Sequence, residues 1–401
     1  MLFDELMQRG LVKQVTNTEG VDKVMSTHGA PFYIGFDPTA DSLHVGHLLQ
    51  IVTAKRLKDG GMFPIMLVGG ATAQIGDPTG KSEARKMLSK EDLTENIRSL
   101  RGQIIRLLPG LISVQDNSLW TVNLNFLDFI KNVGAHFSVN NMLRADCFKS
   151  RMENGGLSFL EFNYMLLQAF DFFYLFEKQN CVLQIGGDDQ WSNILAGIDL
   201  IHKKNGREAF GLTLPLLTNS DGQKMGKTEN GAIWLDKFKT SVFDFFQFWR
   251  NLPDSDIIKC FKLLTFVSVN EIESIPFTSI VDINAAKKRL AFEITKFVHG
   301  NEAASLALKQ AEALFEKNDA SVIDSISITD NCSVLDLIIK CNFAKSRTEA
   351  RNLINNRGVS INDDVLTDPT INVTKSKFGT DIVVKKGKKN ICRLTIKDTN
   401  A

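Results

Sequence analysis

Two histidines stand three residues apart in the run Asp41-Ser42-Leu43-His44-Val45-Gly46-His47, directly after an apolar stretch and a Pro-containing turn. At that spacing both imidazoles lie on one face of a helix whose start is signalled by Asp41 or Ser42. The backbone N–H groups and dipole at such an N-terminus favour phosphate. Gly46 lets a flat ring approach the backbone. Zinc binding and a purely structural pair are the rival readings, and no nearby carboxylate or cysteine completes a zinc ligand set.

Some 180 residues later, Asp221-Gly222-Gln223-Lys224-Met225-Gly226-Lys227-Thr228-Glu229 packs turn formers around two lysines three apart. Both ammonium groups can converge on one anion, although a solvated charged loop has the same composition. Lys81 and Arg85, spaced i and i+4 in a polar stretch, are open to the same two readings. Between Phe159 and Phe176 most residues are apolar, yet Tyr164, Gln168 and Asp171 fall at i, i+4 and i+7 on one helical face. Either that face meets water, or polar groups held within apolar walls find partners on a polar ligand. A further segment, Gly186-Gly187-Asp188-Asp189-Gln190-Trp191, reads as a turn opening a helix after a strand that ends at Gln184-Ile185. There Asp189 can accept from ribose hydroxyls, or either aspartate can serve as an N-cap.

The elements that must position these groups follow from the pattern of apolar runs. Phe32 to Phe36, Pro64 to Val68 and Cys181 to Ile185 are short and lead into Gly-rich turns followed by helical periodicity. This βα rhythm predicts a parallel sheet with ligands beyond the C-terminal strand ends. From Thr240 to about Phe315 helical patterns dominate, Lys317 to Cys332 reads as a linker, and a compact segment with helices first and strand-like alternation later closes the chain. The expected division is 1–235 catalytic, 236–318 helical, 319–332 linker and 333–401 tail.

Composition bounds the function classes. The 401 residues are 43% hydrophobic and 23% charged, with a net charge of +1, as in a soluble multidomain protein. The charge is uneven: from Val334 onward 13 Lys/Arg face 7 Asp/Glu, a net +6, which leaves −5 for the residues before. The six cysteines form no C-x-x-C pair, so reduced thiols are expected. Acidic residues at Asp4 and Glu5, with no apolar run of about 18 residues, point to a cytoplasmic protein.

HVGH followed by KMGKT resembles the paired HIGH and KMSKS motifs of class I aminoacyl-tRNA synthetases. The strings YIGFDPTADSLHVGHL, LVGGATAQIGDPTGK, YMLLQAFDF, LQIGGDDQW and LPLLTNSDGQKMGKT are similar, in order and spacing, to successive blocks of the bacterial tyrosyl enzymes. The resemblance implies an α/β fold: a Rossmann-like parallel-sheet catalytic domain, a helical domain, and a small α+β S4-like RNA-binding domain matching SVLDLIIKCNFAKSRTEARNLINNRGVSIN. It implies a homodimer, with Phe159 at the interface.

The implied activity is activation of tyrosine by ATP with Mg²⁺ and transfer to tRNA(Tyr). No enzyme nucleophile is required: the substrate carboxylate attacks the α-phosphorus in line, and catalysis is positioning plus placed positive charge. The resemblance assigns Thr39, His44, His47, Lys224, Lys227 and Thr228 to the triphosphate, with Lys81 and Arg85 closing from the GDPTGK loop. Gly35, Asp37, Gly46, Gly187 and Asp189 would hold the rest of the nucleotide. Tyr164, Gln168 and Asp77 would bind the tyrosine ammonium, Tyr33 and Asp171 its phenolic hydroxyl, and Asn117, Gln184 and Gln190 the surrounding pocket, with no fixed protein metal site.

Ile34 stands where many relatives carry a cysteine, Asp188 replaces a common serine, and Gly226 and Thr228 replace serines of the generic motif. In the tail, Arg347 and Arg351 share a helix face and Lys385, Lys386, Lys388 and Lys389 follow in a turn, a basic cluster suited to RNA phosphate. Three rivals stand beside this reading. A tryptophan enzyme of the same class is disfavoured by the Tyr33–Asp171 pair and the tail, a non-catalytic RNA-binding paralogue by the intact histidines and lysines, and a small-molecule nucleotidyltransferase by the tail.

Overall fold

The computed structural model describes residues 1–77, 88–153, 156–228, 231–316, 325–387 and 390–397. Two compact units result, Met1–Ala304 and Ser305–Ala401. In the first, six strands form one sheet: β1 (Gln14–Val15), β2 (Pro31–Phe36), β3 (Phe63–Val68), β4 (Ser113–Asp116), β5 (Leu183–Gly187) and β6 (Phe210–Leu214), in the order β1-β6-β5-β2-β3-β4. All neighbours are parallel except β1, which lies antiparallel on the edge against β6. Strands β2, β3 and β5 are almost wholly buried, which explains why they read as continuous apolar runs rather than alternating ones.

The order of the strands locates the site. The chain steps outward from β2 through β3 to β4, then returns to lay β5 and β6 on the other side of β2. A crevice at the carboxyl ends of β2 and β5 is the switch point where such sheets bind ligands. The β2–β5 ladder pairs Phe32 with Leu183 and Tyr33 with Gln184, whereas β2 and β3 pair along their full length. Beyond Tyr33 and Gln184 the two strands separate and their ends line a cavity.

Three boundaries differ from the sequence reading. Gly186 and Gly187 belong to β5 rather than to a turn, because they pair with Thr213 and Leu214 of β6. Of the helical stretch expected as a separate domain, the residues up to Ala304 are part of the first unit. Buried Arg9 and Arg56 donate to carbonyls of Val267 and Thr265, and Arg106 donates to Val298 O at 2.6 Å, so long-range bonds that leave no local signature fasten it to the sheet domain. The expected linker ends earlier than Cys332: Ser325–Thr329 is a strand, as its Ser-Ile-Ser-Ile-Thr alternation permits.

The second unit is a five-stranded sheet in the order Asp364–Val365, Val359–Ile361, Asp381–Lys386, Asn390–Lys397, Ser325–Thr329. Only the last pair is parallel. Helices Val334–Lys340 and Arg347–Asn355 contribute Val334, Leu337, Ile338, Ala350 and Ile354 to a core shared with Ile361, Ile382, Val384 and Leu394. Among the described residues no helix is long and apolar enough to cross a membrane.

Candidate active site

A cavity of about 480 Å³ opens at the switch point, lined by the ends of β2 and β5, the helix after β2, and the hairpin that carries Lys224. His44 is not on the helix face; it is the N-cap of helix Val45–Asp59, with extended backbone. Its Nδ1 accepts from the backbone N–H of Gly46 at 3.0 Å, and Nδ1 of His47 accepts from the backbone N–H of His44 at 3.2 Å. The two histidines thus form a reciprocal capping box, which displaces Asp41 and Ser42 from the role the sequence suggested. A nitrogen that accepts is unprotonated, so a ring accepting at Nδ1 carries its proton on Nε2 and is a donor there. Burial, reinforced by His44, holds His47 well below the ordinary histidine value, which keeps it neutral. The rings stack at 4.0 Å, and a Cβ at Gly46 would stand 2.7 Å from the His44 ring, so the cap requires glycine there.

Backbone bonds join this helix start to the lysine hairpin. Val45 N donates to Ile233 O, Leu235 N to Leu43 O, and Ile233 N to Gly226 O. Gly226 sits at φ +79 with Val45 Cβ 2.6 Å from where its own Cβ would be, which explains a glycine in that motif position. Lys224 Nζ lies 3.9 Å from Asp189, a long pair at half exposure that stabilises little and leaves the ammonium able to turn toward an anion. Burial raises the Asp189 carboxyl above its ordinary value, with Lys224 opposing. For Lys227 and Thr228 only the backbone is described, as a short strand paired with Gly231–Ala232. Lys81 and Arg85 lie outside the described residues.

The polar face of helix Phe159–Gln179 turns toward the cavity rather than water. Asp171 is fully buried, its Oδ1 accepting from the Trp120 indole and its Oδ2 from Asn117 Nδ2, both at 2.8 Å. Burial pushes this carboxyl up to about 7 against those two bonds, with Asp37 and Asp116 adding to the rise. Beside it the Tyr33 hydroxyl is buried without a hydrogen-bond partner, as is Oε1 of Gln184, and burial with nearby Asp171 raises Tyr33 well above its ordinary value. Tyr164 donates to Asp37 Oδ2 at 2.9 Å, and Gln190 Nε2 to Asp77 Oδ2 at 2.7 Å. Asn193 donates to both Gln168 and Gln190. Thr39, Gly35 and Gly187 complete the lining.

Sequence reasoning missed several supports. Thr72 donates to Asp37 Oδ1 at 2.8 Å and accepts from Asn117, Asn117 Oδ1 accepts from Ala71 N, and Trp234 bridges His44. Only the hydroxyl and indole residue types hinted at them. Asp188 does not reach the cavity: it accepts from Gln14 and Thr213, tying edge strand β1 to β6. Neither Asp188 nor Asp189 caps the next helix, whose N-cap is Gln190.

In the tail, Arg347 forms a two-pronged ion pair with Asp336, Lys385 pairs with Asp363, and Lys386 donates to Phe343 O. Lys385 and Lys386 lie in a strand rather than a turn, and Arg351 is exposed on helix Arg347–Asn355. Lys388 and Lys389 lie outside the described residues. Phe159 is 73% exposed.

Residues 25–316 match the family model "tRNA synthetases class I (W and Y)", and residues 316–394 match "Tyrosine--tRNA ligase SYY-like C-terminal domain". The chain is 46% identical to a tyrosine–tRNA ligase of Acetivibrio thermocellus, covering 98% of this chain and 99% of that one. It is 47% identical to a tyrosine–tRNA ligase of Clostridium botulinum at the same coverage. Among solved structures, a C-terminally truncated mitochondrial tyrosyl-tRNA synthetase of Aspergillus nidulans is similar at TM-score 0.71 and 30% identity, covering 78% of this chain and 94% of that one. ATP-dependent activation of L-tyrosine to tyrosyl-adenylate, with release of pyrophosphate and transfer of tyrosine to the 3′ end of tRNA(Tyr), is the activity these likenesses give the chain. With family models matched over residues 25–394 and a relative aligned over 98% of its length, the chain belongs to the tyrosine–tRNA ligase family of class I aminoacyl-tRNA synthetases.

Proposed function

We propose that the closed end of the cavity reads the tyrosine hydroxyl and its open end holds ATP. The buried assembly of Asp171, Asn117 and Trp120 beside the orphan Tyr33 hydroxyl carries this reading. A phenol can accept from Tyr33 and donate to Asp171, whereas an indole offers one N–H donor and no acceptor, leaving Tyr33 unpaired. Tyr164, Gln168 and Asp77 would take the ammonium, with Gln184 and Gln190 beside it. The carboxylate is then held for in-line attack on the α-phosphorus. Nε2 donors of His44 and His47, the Thr39 hydroxyl, Lys224 and the Lys227–Thr228 strand would stabilise charge growing on the phosphoryl oxygens and departing pyrophosphate, joined by Lys81 and Arg85. Gly35, Gly46 and Gly187 would admit the nucleotide closely, with Asp37 and Asp189 toward its ribose. Among the described residues no group of three or more His, Cys, Asp or Glu is placed to hold a metal ion. Mg²⁺ would arrive on ATP with phosphate and water as its main ligands, where it would offset triphosphate charge.

Tyrosine binding should report the Asp171 carboxyl. A ligand O–H donates to the ionised form, so affinity is lost as pH falls through the free-enzyme value of about 7. Well below it, the loss should tend to about tenfold per pH unit. Equilibrium dialysis with labelled tyrosine between about pH 5.5 and 8 checks this; a flat profile would place the hydroxyl elsewhere.

The exposed Phe159, with Leu119, Phe126 and Leu127 also exposed, supports a homodimer, and the +6 tail supports a tRNA contact through Arg347, Arg351, Lys385, Lys386, Lys388 and Lys389 in a cytoplasmic enzyme. One experiment tests both ends of the molecule. Pyrophosphate exchange and tRNA charging are measured with tyrosine and tryptophan on the whole chain and on residues 1–316. Exchange should be tyrosine-dependent in both forms, and charging should drop at least tenfold in the shorter one, with a flatter salt dependence. Tryptophan-dependent exchange would overturn the substrate, and full charging by the shorter form would overturn the tail's role.

A further inference from the structure

The hairpin that presents Lys224 is fastened by side chains that never touch the cavity. Thr218 and Lys224 face each other across an antiparallel bridge, and Asn219 Oδ1 accepts from the backbone N–H groups of Asp221 and Gln223 at 3.1 and 2.8 Å. These bonds shape the turn but do not aim it. Lys259 Nζ donates to Thr218 O at 2.7 Å, and Asp256, 2% exposed, accepts from the backbone N–H of Ser220 at 3.2 Å. Both residues belong to the segment Asp254–Leu264, and neither lines the cavity.

The same segment also registers the histidine helix. Arg56, near the far end of Val45–Asp59, donates from Nη2 to Thr265 O at 2.7 Å, where helix Ile257–Leu264 ends. Arg9 donates to Val267 O at 2.8 Å, and Glu5 accepts from both arginines. One short helix therefore holds, through charge-assisted bonds to backbone, the hairpin carrying Lys224 and the helix capped by His44. Such bonds are directional; apolar contact alone would hold the limb without fixing its rotation.

We propose that Asp256 and Lys259 are positioning residues for Lys224, setting the pitch of the hairpin so that its ammonium meets the triphosphate. The inference rests on the role given to Lys224 above. Displacement of a catalytic group by about 1 Å costs roughly a hundredfold in rate, so loosening one anchor should cost about tenfold or more.

The test uses the full chain with Lys259→Met, Lys259→Arg, Asp256→Asn, Lys224→Ala and the double variant Lys224→Ala with Lys259→Met. The turnover rate for tyrosine-dependent pyrophosphate exchange should fall about tenfold in Lys259→Met, while tyrosine affinity stays within about twofold and Lys259→Arg recovers most of the rate. The double variant should be no slower than Lys224→Ala alone, because the anchor acts only through that lysine. A wild-type rate in both Lys259→Met and Asp256→Asn overturns the proposal, as do equal losses of rate and tyrosine affinity, or additive losses in the double variant. If Lys259→Met does not fold, Asp256→Asn, nearly isosteric, carries the same comparisons. A wild-type rate in Lys224→Ala would instead remove the role of Lys224 itself.

Discussion

Asp171→Ala is expected to lower the preference for tyrosine over phenylalanine by roughly ten- to a hundredfold, the worth of one charge-assisted hydrogen bond of about 1.5–3 kcal/mol. A preference of about 10⁵ is already known for a tyrosyl-tRNA synthetase and is a property of that enzyme. The cause lies in the buried polar cluster. In the proposed pose, phenylalanine would leave the Tyr33 hydroxyl unpaired and Asp171 with Trp120 and Asn117 alone, whereas tyrosine would pair with both. Without the carboxylate, phenylalanine loses less than tyrosine does. The ratio of kcat/KM for the two amino acids in pyrophosphate exchange measures the effect, and an unchanged ratio in a folded variant would take Asp171 out of the pocket.

Lys224→Ala should slow adenylate formation by about 10²–10³ while tyrosine affinity stays within about twofold, because in its proposed role the ammonium acts on charge that exists only in the transition state. In the free protein its visible interaction is the long contact with Asp189, so the substitution should leave stability nearly unchanged. Single-turnover formation of tyrosyl-adenylate, paired with a thermal melt, separates the two quantities. A normal rate would assign the lysine to solvent. A rate loss matched by weaker tyrosine binding would point to a role in the ground state.

Residue types and spacing by themselves placed paired histidines, paired lysines and carboxylates close to strand ends, because backbone periodicity and cap preferences are local properties. The short apolar runs gave β2, β3 and β5 to within a few residues, and the polar face at Tyr164, Gln168 and Asp171 lay in the pattern of its helix. Local signals failed where a long-range bond settled the outcome. His44 became the cap in place of Asp41 or Ser42 because its ring closes a reciprocal pair with His47, and backbone bonds to Ile233 and Leu235 hold that turn. Gly186 and Gly187 joined a strand because β6 supplies their partners.

Only as possible N-caps did Asp188 and Asp189 look equivalent in sequence, and after β5 one meets Gln14 and Thr213 while the other lines the cavity. The anchoring roles of Asp256 and Lys259 left no trace in their own neighbourhood, since their partners at Ser220 and Thr218 are 36 and 41 residues away. Sequence thus named many of the groups that line the cavity, through short-range preferences that each residue carries with it. Only the tertiary structure decided which of them meet, because burial and pairing across the chain fix the depth, protonation and aim of each group.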